Sequence, residues 1–241
     1  LYDSTFEGLM TAVFEVFEYK YDVVEIVAQQ NYSQENFFAE THEVITDFTK
    51  SDRVLKKLEE NLGKQGISQL MMVYFSERKD LERLILSAVW HSIKHPKQNI
   101  LQDFGNDDIL EISKICRSVS RERHRMLAFV RFELLQDEVY FAKIEPDFNV
   151  LPLIRKHFKE RYADQKWMIF DLKRHYGIFY DLKEVHFFTP DSSQLQNFRN
   201  SEQFHHEEEK KYQKLWQRYF VKTGIPERKN MKLHIQWVPK R

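Results

Sequence analysis

A dense polar segment in the second half of the chain has residue types that suit contacts with phosphate. Arg121, His124 and Arg125 lie close together at the end of a predicted helix. Arg121 and Arg125 share one helix face with Arg117, and planar guanidinium groups fit phosphate oxygens well. A second interpretation is that these cations only complement the negative end of the helix dipole, which is worth roughly 0.3–1 kcal/mol each. The sequence leaves both interpretations open.

Two further charged residues lie in an apolar stretch that alternation predicts as a strand over residues 127–134. Arg131 and Glu133 are two positions apart, so in a strand they share a face with Phe129. Buried together they would be structural, and exposed together they would line a groove. Both remain possible from the sequence.

The next predicted helix, which begins near Pro152, carries His157 and Arg161 four positions apart. Histidine titrates near neutral pH, so this pair suits phosphate binding or acid–base catalysis, although an exposed histidine without a role is the alternative. Asp171 ends a predicted strand, and Arg174 follows in the turn. These two form a turn-stabilising ion pair or, if Asp171 meets His157 in space, part of one site.

The sequence predicts no metal and no bound cofactor. His91 and His95 have the spacing of two metal ligands on one helix face, but no Glu follows His91 as a His-Glu-x-x-His site requires. Cys116 is the only cysteine and lies among apolar residues, so we expect a core position and no intrachain disulfide. The six glycines form no phosphate-binding loop, which excludes a dinucleotide-binding dehydrogenase and a P-loop NTPase.

The elements that must position these residues change character near residue 126. Residues 1–126 have apolar positions at helical spacing, with helices predicted from a Ser4–Glu7 capping box, over 51–63, 68–75 and 81–95, and from Asp107. In residues 127–241, strands are predicted at 127–134, 139–144, 167–171, 178–181, 185–188 and 232–238. Two helices, one from Pro152 and one over 202–221, complete this half.

These elements predict one α+β domain over residues 1–241, in which a helical N-terminal half packs on a mostly antiparallel sheet formed by the C-terminal half. The longest apolar runs, such as 70–75, fall far short of the roughly 18 residues that a membrane span needs. A single cysteine fits a reducing compartment. We therefore expect a cytoplasmic protein without a membrane segment.

The formal net charge is zero, but the charges are unevenly distributed. The 241 residues include 37 basic (Lys and Arg) and 37 acidic (Asp and Glu) residues. Residues 1–60 carry 5 basic and 13 acidic side chains, whereas residues 121–241 carry 24 and 17. Aromatic residues are interleaved with the cations of the second half. Such a composition combines phosphate neutralisation with base stacking, so DNA is the expected polyanionic partner.

The stretch over residues 121–180 resembles a family of bacterial proteins described as probable DNA metabolism proteins. The first matching pieces are Arg121-Glu122, His124-Arg125 and Phe129-x-Arg131-Phe132-Glu133. The next are Glu145-Pro146, Asn149-Val150-Leu151-Pro152 and His157-Phe158 with Arg161. The last are Trp167-x-Ile169-Phe170-Asp171, Arg174, Gly177 and Tyr180. Residues 2–8 resemble the family's start, with Ser4 where a glycine is expected, and residues 216–230 resemble its end.

The resemblance implies a context and no defined activity. Family members are linked by genome neighbourhood to a radical SAM protein associated with DNA repair, and some carry a uracil-DNA glycosylase-like domain after this one. This chain lacks the Gly-rich catalytic loop and the cysteine set of the related glycosylases. We therefore do not expect it to be that glycosylase itself.

Two hypotheses of function follow. In the first, the protein acts in DNA metabolism or repair by binding or processing nucleic acid together with the radical SAM partner. If it is catalytic, His157 is the acid–base group and Glu133 or Asp171 orients it. The remaining candidates contact phosphate or nucleic acid: Arg121, His124, Arg125, Arg131, Arg161 and Arg174.

In the second hypothesis, the protein is a non-catalytic adaptor that docks the radical SAM protein through its acidic first 60 residues. The motif residues then only brace the fold. Convergence of the candidates on one open cleft favours the first hypothesis, and buried ion pairs favour the second.

Overall fold

The computed structural model describes residues 1–21, 24–32, 40–96, 98–136 and 138–191. The chain divides into two compact units, Leu1–Ser120 and Arg121–Arg241. The boundary falls close to the predicted change of character at residue 126. The helix predicted at 202–221 and the strand predicted at 232–238 lie outside the described residues. That the whole chain forms a single domain stays a prediction.

The first unit is built from α-helices, with two short 3₁₀ turns between them. The helices are α1 (Phe6–Glu18), α2 (Phe48–Tyr74), α3 (Leu81–Lys94) and α4 (Asp107–Phe129), which continues into the second unit. Apolar residues three and four positions apart face inward and are fully or almost fully buried, as the helical periodicity predicts. Examples are Leu9, Val13, Leu58, Leu70, Leu84, Ile85, Ile112 and Val119. No helix in the described part is both long and apolar enough to cross a membrane.

The start of α1 differs from the predicted capping box by one residue. Thr5 is the N-cap, and its hydroxyl accepts a hydrogen bond from the amide of Gly8 at 2.9 Å. Ser4 has φ +65°, in the left-handed region, whereas an N-cap residue needs an extended backbone. Ser4 occupies the position where the family resemblance predicted glycine, which is the residue that this conformation favours.

The predicted end of the second helix at Gly63 is a kink inside α2. Gly63 has φ 68° and ψ 176°, and the helix resumes beyond it, so the segments predicted at 51–63 and 68–75 belong to one element. Asp47 caps this helix by accepting hydrogen bonds from the amides of Thr49 and Lys50. The α3 helix ends before Pro96, as predicted.

In the second unit, the described residues form a five-stranded sheet in the order β1-β2-β3-β4-β5. The strands are Glu133–Leu134, Tyr140–Ile144, Trp167–Asp171, Tyr176–Tyr180 and Val185–Phe188. Helix α5 (Leu151–Arg161) connects β2 to β3, and these two strands are parallel because the crossover returns the chain in the same direction. The other neighbouring pairs are antiparallel. The predicted α+β class with a mostly antiparallel sheet is therefore confirmed.

The strand predicted at 127–134 is mostly wrong. Helix α4 continues to Phe129, the amide of Val130 still donates to the carbonyl of Met126 at 3.1 Å, and β1 comprises only Glu133 and Leu134. The helical half thus extends three residues past the predicted boundary. Residues 126–130 are apolar or small throughout, so alternation could not separate a strand from the end of a helix. Arg131 and Glu133 consequently do not share a strand face with Phe129.

An aromatic cluster forms the core beneath α5. Trp167 and Phe158 are almost fully buried, and their ring centres are 6.0 Å apart. Phe132 lies edge-on against Phe158 at 5.7 Å, and Tyr180 stacks on Trp167 at 5.5 Å. Several motif residues of the resemblance therefore serve packing, since buried aromatic side chains dominate core energetics.

Candidate functional site

Asp171 is fully buried at the end of β3, and the turn that follows uses both of its carboxylate oxygens. Oδ1 accepts hydrogen bonds from the amides of Lys173 at 2.8 Å and Arg174 at 3.1 Å. Oδ2 accepts from Nη1 of Arg174 at 3.0 Å, and the Arg174 side chain is only 9% exposed. The structure thus shows the turn-stabilising ion pair that the sequence offered as one interpretation.

Arg174 also holds the loop between β2 and α5. Its guanidinium donates to the carbonyl of Pro146 through Nη1 at 3.1 Å and to the carbonyl of Asp147 through Nη2 at 3.0 Å. The ammonium group of Lys173 donates to the Asp147 carbonyl as well, at 3.0 Å. The β3–β4 turn is therefore fastened to the segment from which α5 begins.

Helix α4 fastens the same loop from its own side. Glu122 is buried, and its carboxylate accepts a hydrogen bond from the amide of Asp147 at 3.2 Å and forms an ion pair with Arg125. Charged side chains from α4 and from the β3–β4 turn thus brace one short loop. We refer to Glu122, Arg125, Asp171 and Arg174 as the bracing cluster.

The loop has one further fixed point. The hydroxyl of Tyr176 donates to the side-chain oxygen of Asn149, two residues before α5 begins. Together with the bracing cluster, this contact sets the position at which α5 begins.

The remaining candidates on α4 and α5 are exposed. Arg121 and His124 lie on the surface of α4, and His157 and Arg161 lie on the surface of α5. Within the described ranges, His157 forms no hydrogen bond or ion pair, and its ring lies edge-on to the neighbouring Phe158 at 5.5 Å. The guanidinium of Arg161 lies 5.8 Å from the ring centre of Tyr162.

The catalytic candidates lie in different environments. His157 is exposed, Asp171 is fully buried, and Glu133 is half-buried in β1. Arg131, also half-buried, lies in the irregular segment between α4 and β1. In the bracing cluster, described interactions involve three of the predicted site residues, Arg125, Asp171 and Arg174.

An exposed cation–aromatic pair on the second unit was not predicted. The guanidinium of Arg155 lies 5.7 Å from the ring centre of Phe187 on β5, and Phe187 is 48% exposed. The rings of Phe187 and Tyr176 stack with their centres 6.2 Å apart and their planes 29° apart. We call Arg155, Tyr176 and Phe187 the cation–aromatic surface. It joins residues that are far apart in sequence, so spacing gave no signal for it.

Cys116, His91 and His95, which were considered above for reactivity or metal binding, take part in packing, hydrogen bonds and an ion pair. Burial raises the pKa of the Cys116 thiol to about 11, and the thiol lies 3.5 Å from the carbonyl of Gln69, so the predicted core position is confirmed. His91 pairs with Asp103 at 3.2 Å, and its ring centre is 4.8 Å from that of His95. The described residues contain no group of three potential ligands that could hold a metal ion.

The family is shown by comparison with known sequences. The chain matches the model of a domain of unknown function (DUF4130) over residues 79–241, and it belongs to that family. The matched region contains the bracing cluster and the cation–aromatic surface. No curated protein matches the chain, and no solved structure matches it.

Proposed function

We propose that this protein acts in DNA metabolism or repair by binding nucleic acid through its second unit, together with a radical SAM protein. The observation that carries the proposal is the cation–aromatic surface. An exposed aromatic ring beside a guanidinium can stack on a base while the cation neutralises the adjacent phosphate. Because a base must be unstacked to reach such a ring, single-stranded nucleic acid is the expected ligand.

The charge of the surrounding surface supports this ligand. Helix α5 carries Arg155, Lys156, Lys159 and Arg161, with Glu160 as its one acidic residue. Lys156 lies 3.8 Å from Glu160 in a highly exposed pair, and such pairs are weak enough to yield to a phosphate. With a net charge of zero for the whole chain, we expect modest and salt-sensitive affinity.

The bracing cluster acts in this proposal as a positioning device. It fixes the loop from which α5 starts, and α5 carries Arg155. Asp171 and Arg174 have no catalytic step in this proposal. They stabilise the fold by forming an ion pair with each other. Arg121, His124, His157 and Arg161 supply further exposed groups for contact with the nucleic acid.

A salt titration tests this function. Fluorescence anisotropy of a labelled single-stranded oligonucleotide should show binding at about 50 mM salt that weakens strongly by about 200 mM. The same oligonucleotide annealed to its complement should bind less tightly. Absence of binding to either form at about 50 mM salt would refute the proposal.

The adaptor role is the second candidate function. Its supporting observation is that Glu122, Arg125, Asp171 and Arg174 are engaged in ion pairs that brace a loop. Coexpression with the radical SAM protein tests it. A correctly folded protein that fails to co-purify with that partner at low salt would rule the adaptor role out.

A further inference from the structure

A cleft of about 630 Å³ opens on the first unit beside the start of α2. Ile45 and Phe48 line it, and they are 87% and 68% exposed. No other large apolar side chain in the described residues is as exposed as either of them. Ile45 and Phe48 thus place two exposed apolar side chains beside one cleft.

A buried carboxylate fixes the walls of this cleft. Glu15 on α1 accepts a hydrogen bond from Lys50 at 2.8 Å and pairs with His42 at 2.8 Å. Burial opposes ionisation of Glu15, but the hydrogen bonds from Lys50 and His42 prevail and hold the pKa of its carboxyl below the usual value. This carboxylate ties the first turn of α2 and the segment before it to α1.

The segment that carries Ile45 is also anchored on its other side. The hydroxyl of Thr46 donates to Asp3 at 2.7 Å, and the amide of Asp47 donates to the hydroxyl of the fully buried Thr11 at 3.2 Å. Ile45 is thus held outward between fixed neighbours. Hydrogen bonds on both sides therefore fix the backbone of the segment that carries Ile45.

The negative charge of the cleft favours a positively charged ligand over an anionic one. Three carboxylates line the cleft, those of Glu15, Glu43 and Asp47. Lys50 neutralises Glu15, so Glu43 and Asp47 supply the negative charge that a ligand would meet. With 13 acidic and 5 basic side chains in residues 1–60, this region repels nucleic acid and anionic lipid. A second copy of the chain would place the same carboxylates opposite each other across a two-fold axis.

We propose that this cleft docks a basic polypeptide segment of another protein. An apolar side chain of that segment packs between Ile45 and Phe48, and its Lys or Arg residues face Glu43 and Asp47. The cleft is lined by residues of the first unit, whereas the nucleic-acid contact is proposed for residues of the second unit, so the two proposals rest on different residues. If the protein acts as an adaptor, this cleft is the surface through which it would hold its partner.

The test uses the full chain and a fluorescein-labelled peptide with an amphipathic pattern of Lys and Leu. The peptide should bind the wild type, and the double substitution Ile45→Ser and Phe48→Ser should weaken binding by at least about tenfold, as loss of a central apolar anchor does. Phe104→Ser is the matched control, because Phe104 is 50% exposed on the same unit and does not line the cleft. This control should bind like the wild type.

Charge and assembly are tested with the same samples. A peptide with Glu in place of Lys should not bind, and Glu43→Lys should weaken binding of the Lys peptide. Equal binding of both peptides, or equal binding by the double variant and the wild type, would overturn the proposal. So would a dimer, detected by sedimentation, that dissociates when Phe48 is replaced by serine, because the cleft would then belong to a second copy.

Discussion

The guanidinium of Arg174 and the carboxylate of Asp171 form a buried ion pair at 3.0 Å, and the same guanidinium holds two carbonyls of the loop before α5. Two family-motif residues that the sequence offered as candidates for a reaction site are thereby bonded to each other and to the backbone. Substitution of either residue should therefore lower the free energy of unfolding and disturb the position of α5.

Replacement of Asp171 by Asn should strongly destabilise the protein. The amide oxygen can still accept from the two turn amides, but the substitution removes the buried ion pair between Asp171 and Arg174, and breaking such a pair costs about 3 kcal/mol or more. Urea denaturation measures the change in the free energy of unfolding.

Asp181→Asn is the matched control for this measurement. Asp181 accepts from the amides of Lys183 and Glu184 and pairs with His186 in the same local arrangement, but its side chain is 36% exposed. The Asp181→Asn variant should lose much less free energy of unfolding, because water can solvate the exposed groups once the ion pair is removed. If both variants lost the same free energy of unfolding, burial of the Asp171–Arg174 pair would not contribute to stability.

Gly177→Ala should destabilise the sheet. A Cβ at this position would lie 2.4 Å from the ring of Phe188 and 2.8 Å from the carbonyl oxygen of Ile169, and the second contact is with backbone that cannot move aside. We expect a loss of about 1–3 kcal/mol in the free energy of unfolding. Gly105→Ala, whose Cβ would find its nearest neighbour at 3.4 Å, should be neutral. A neutral Gly177→Ala variant would contradict this account of the packing.

The pH dependence of stability should separate two glutamates of the first unit. Burial raises the pKa of Glu82, which accepts a hydrogen bond from Tyr2 at 3.0 Å, so ionising it costs stability as the pH rises above its unfolded-state pKa. The pKa of Glu15 is lowered, so its charge stabilises the fold at neutral pH and that contribution disappears as the pH falls through the folded-state pKa.

Thermal unfolding from about pH 4 to pH 8 measures this difference. Glu82→Gln should raise the melting temperature at neutral pH, with a gain that shrinks towards acid. Glu15→Gln should lower it at neutral pH, with a loss that also shrinks towards acid. Changes of the same sign in the two variants would contradict the assigned directions.

The sequence predicted the elements whose periodicity is strong and local. The helices α1 and α3, the strands β2 to β5 and the α+β class are as expected, because each follows from apolar spacing or from a breaker such as Pro96. The end of α4 was misplaced because residues 126–130 fit both periods. The cap of α1 was misplaced by one residue because Ser4 has a left-handed backbone conformation, whereas an N-cap residue needs an extended one.

The candidate site depended on long-range contacts that spacing does not encode. Glu122 braces the loop by accepting a hydrogen bond from the amide of Asp147, and these two residues are far apart in sequence. The contact between Arg155 and Phe187 requires α5 and β5 to be brought together by the sheet. The interpretation of Asp171 and Arg174 as a turn pair needed only local sequence, and the structure shows that pair.

The central claim is that the cation–aromatic surface contacts nucleic acid, and one pair of variants tests it most directly. Phe187→Ala should weaken binding of a labelled single-stranded oligonucleotide by about 1–3 kcal/mol, or at least about fivefold, as loss of a stacked aromatic does. Phe129→Ala, which removes another exposed phenylalanine of the same unit, should leave the affinity within about twofold of the wild type. If wild type, Phe187→Ala and Phe129→Ala bind alike, or none binds, the claim is contradicted.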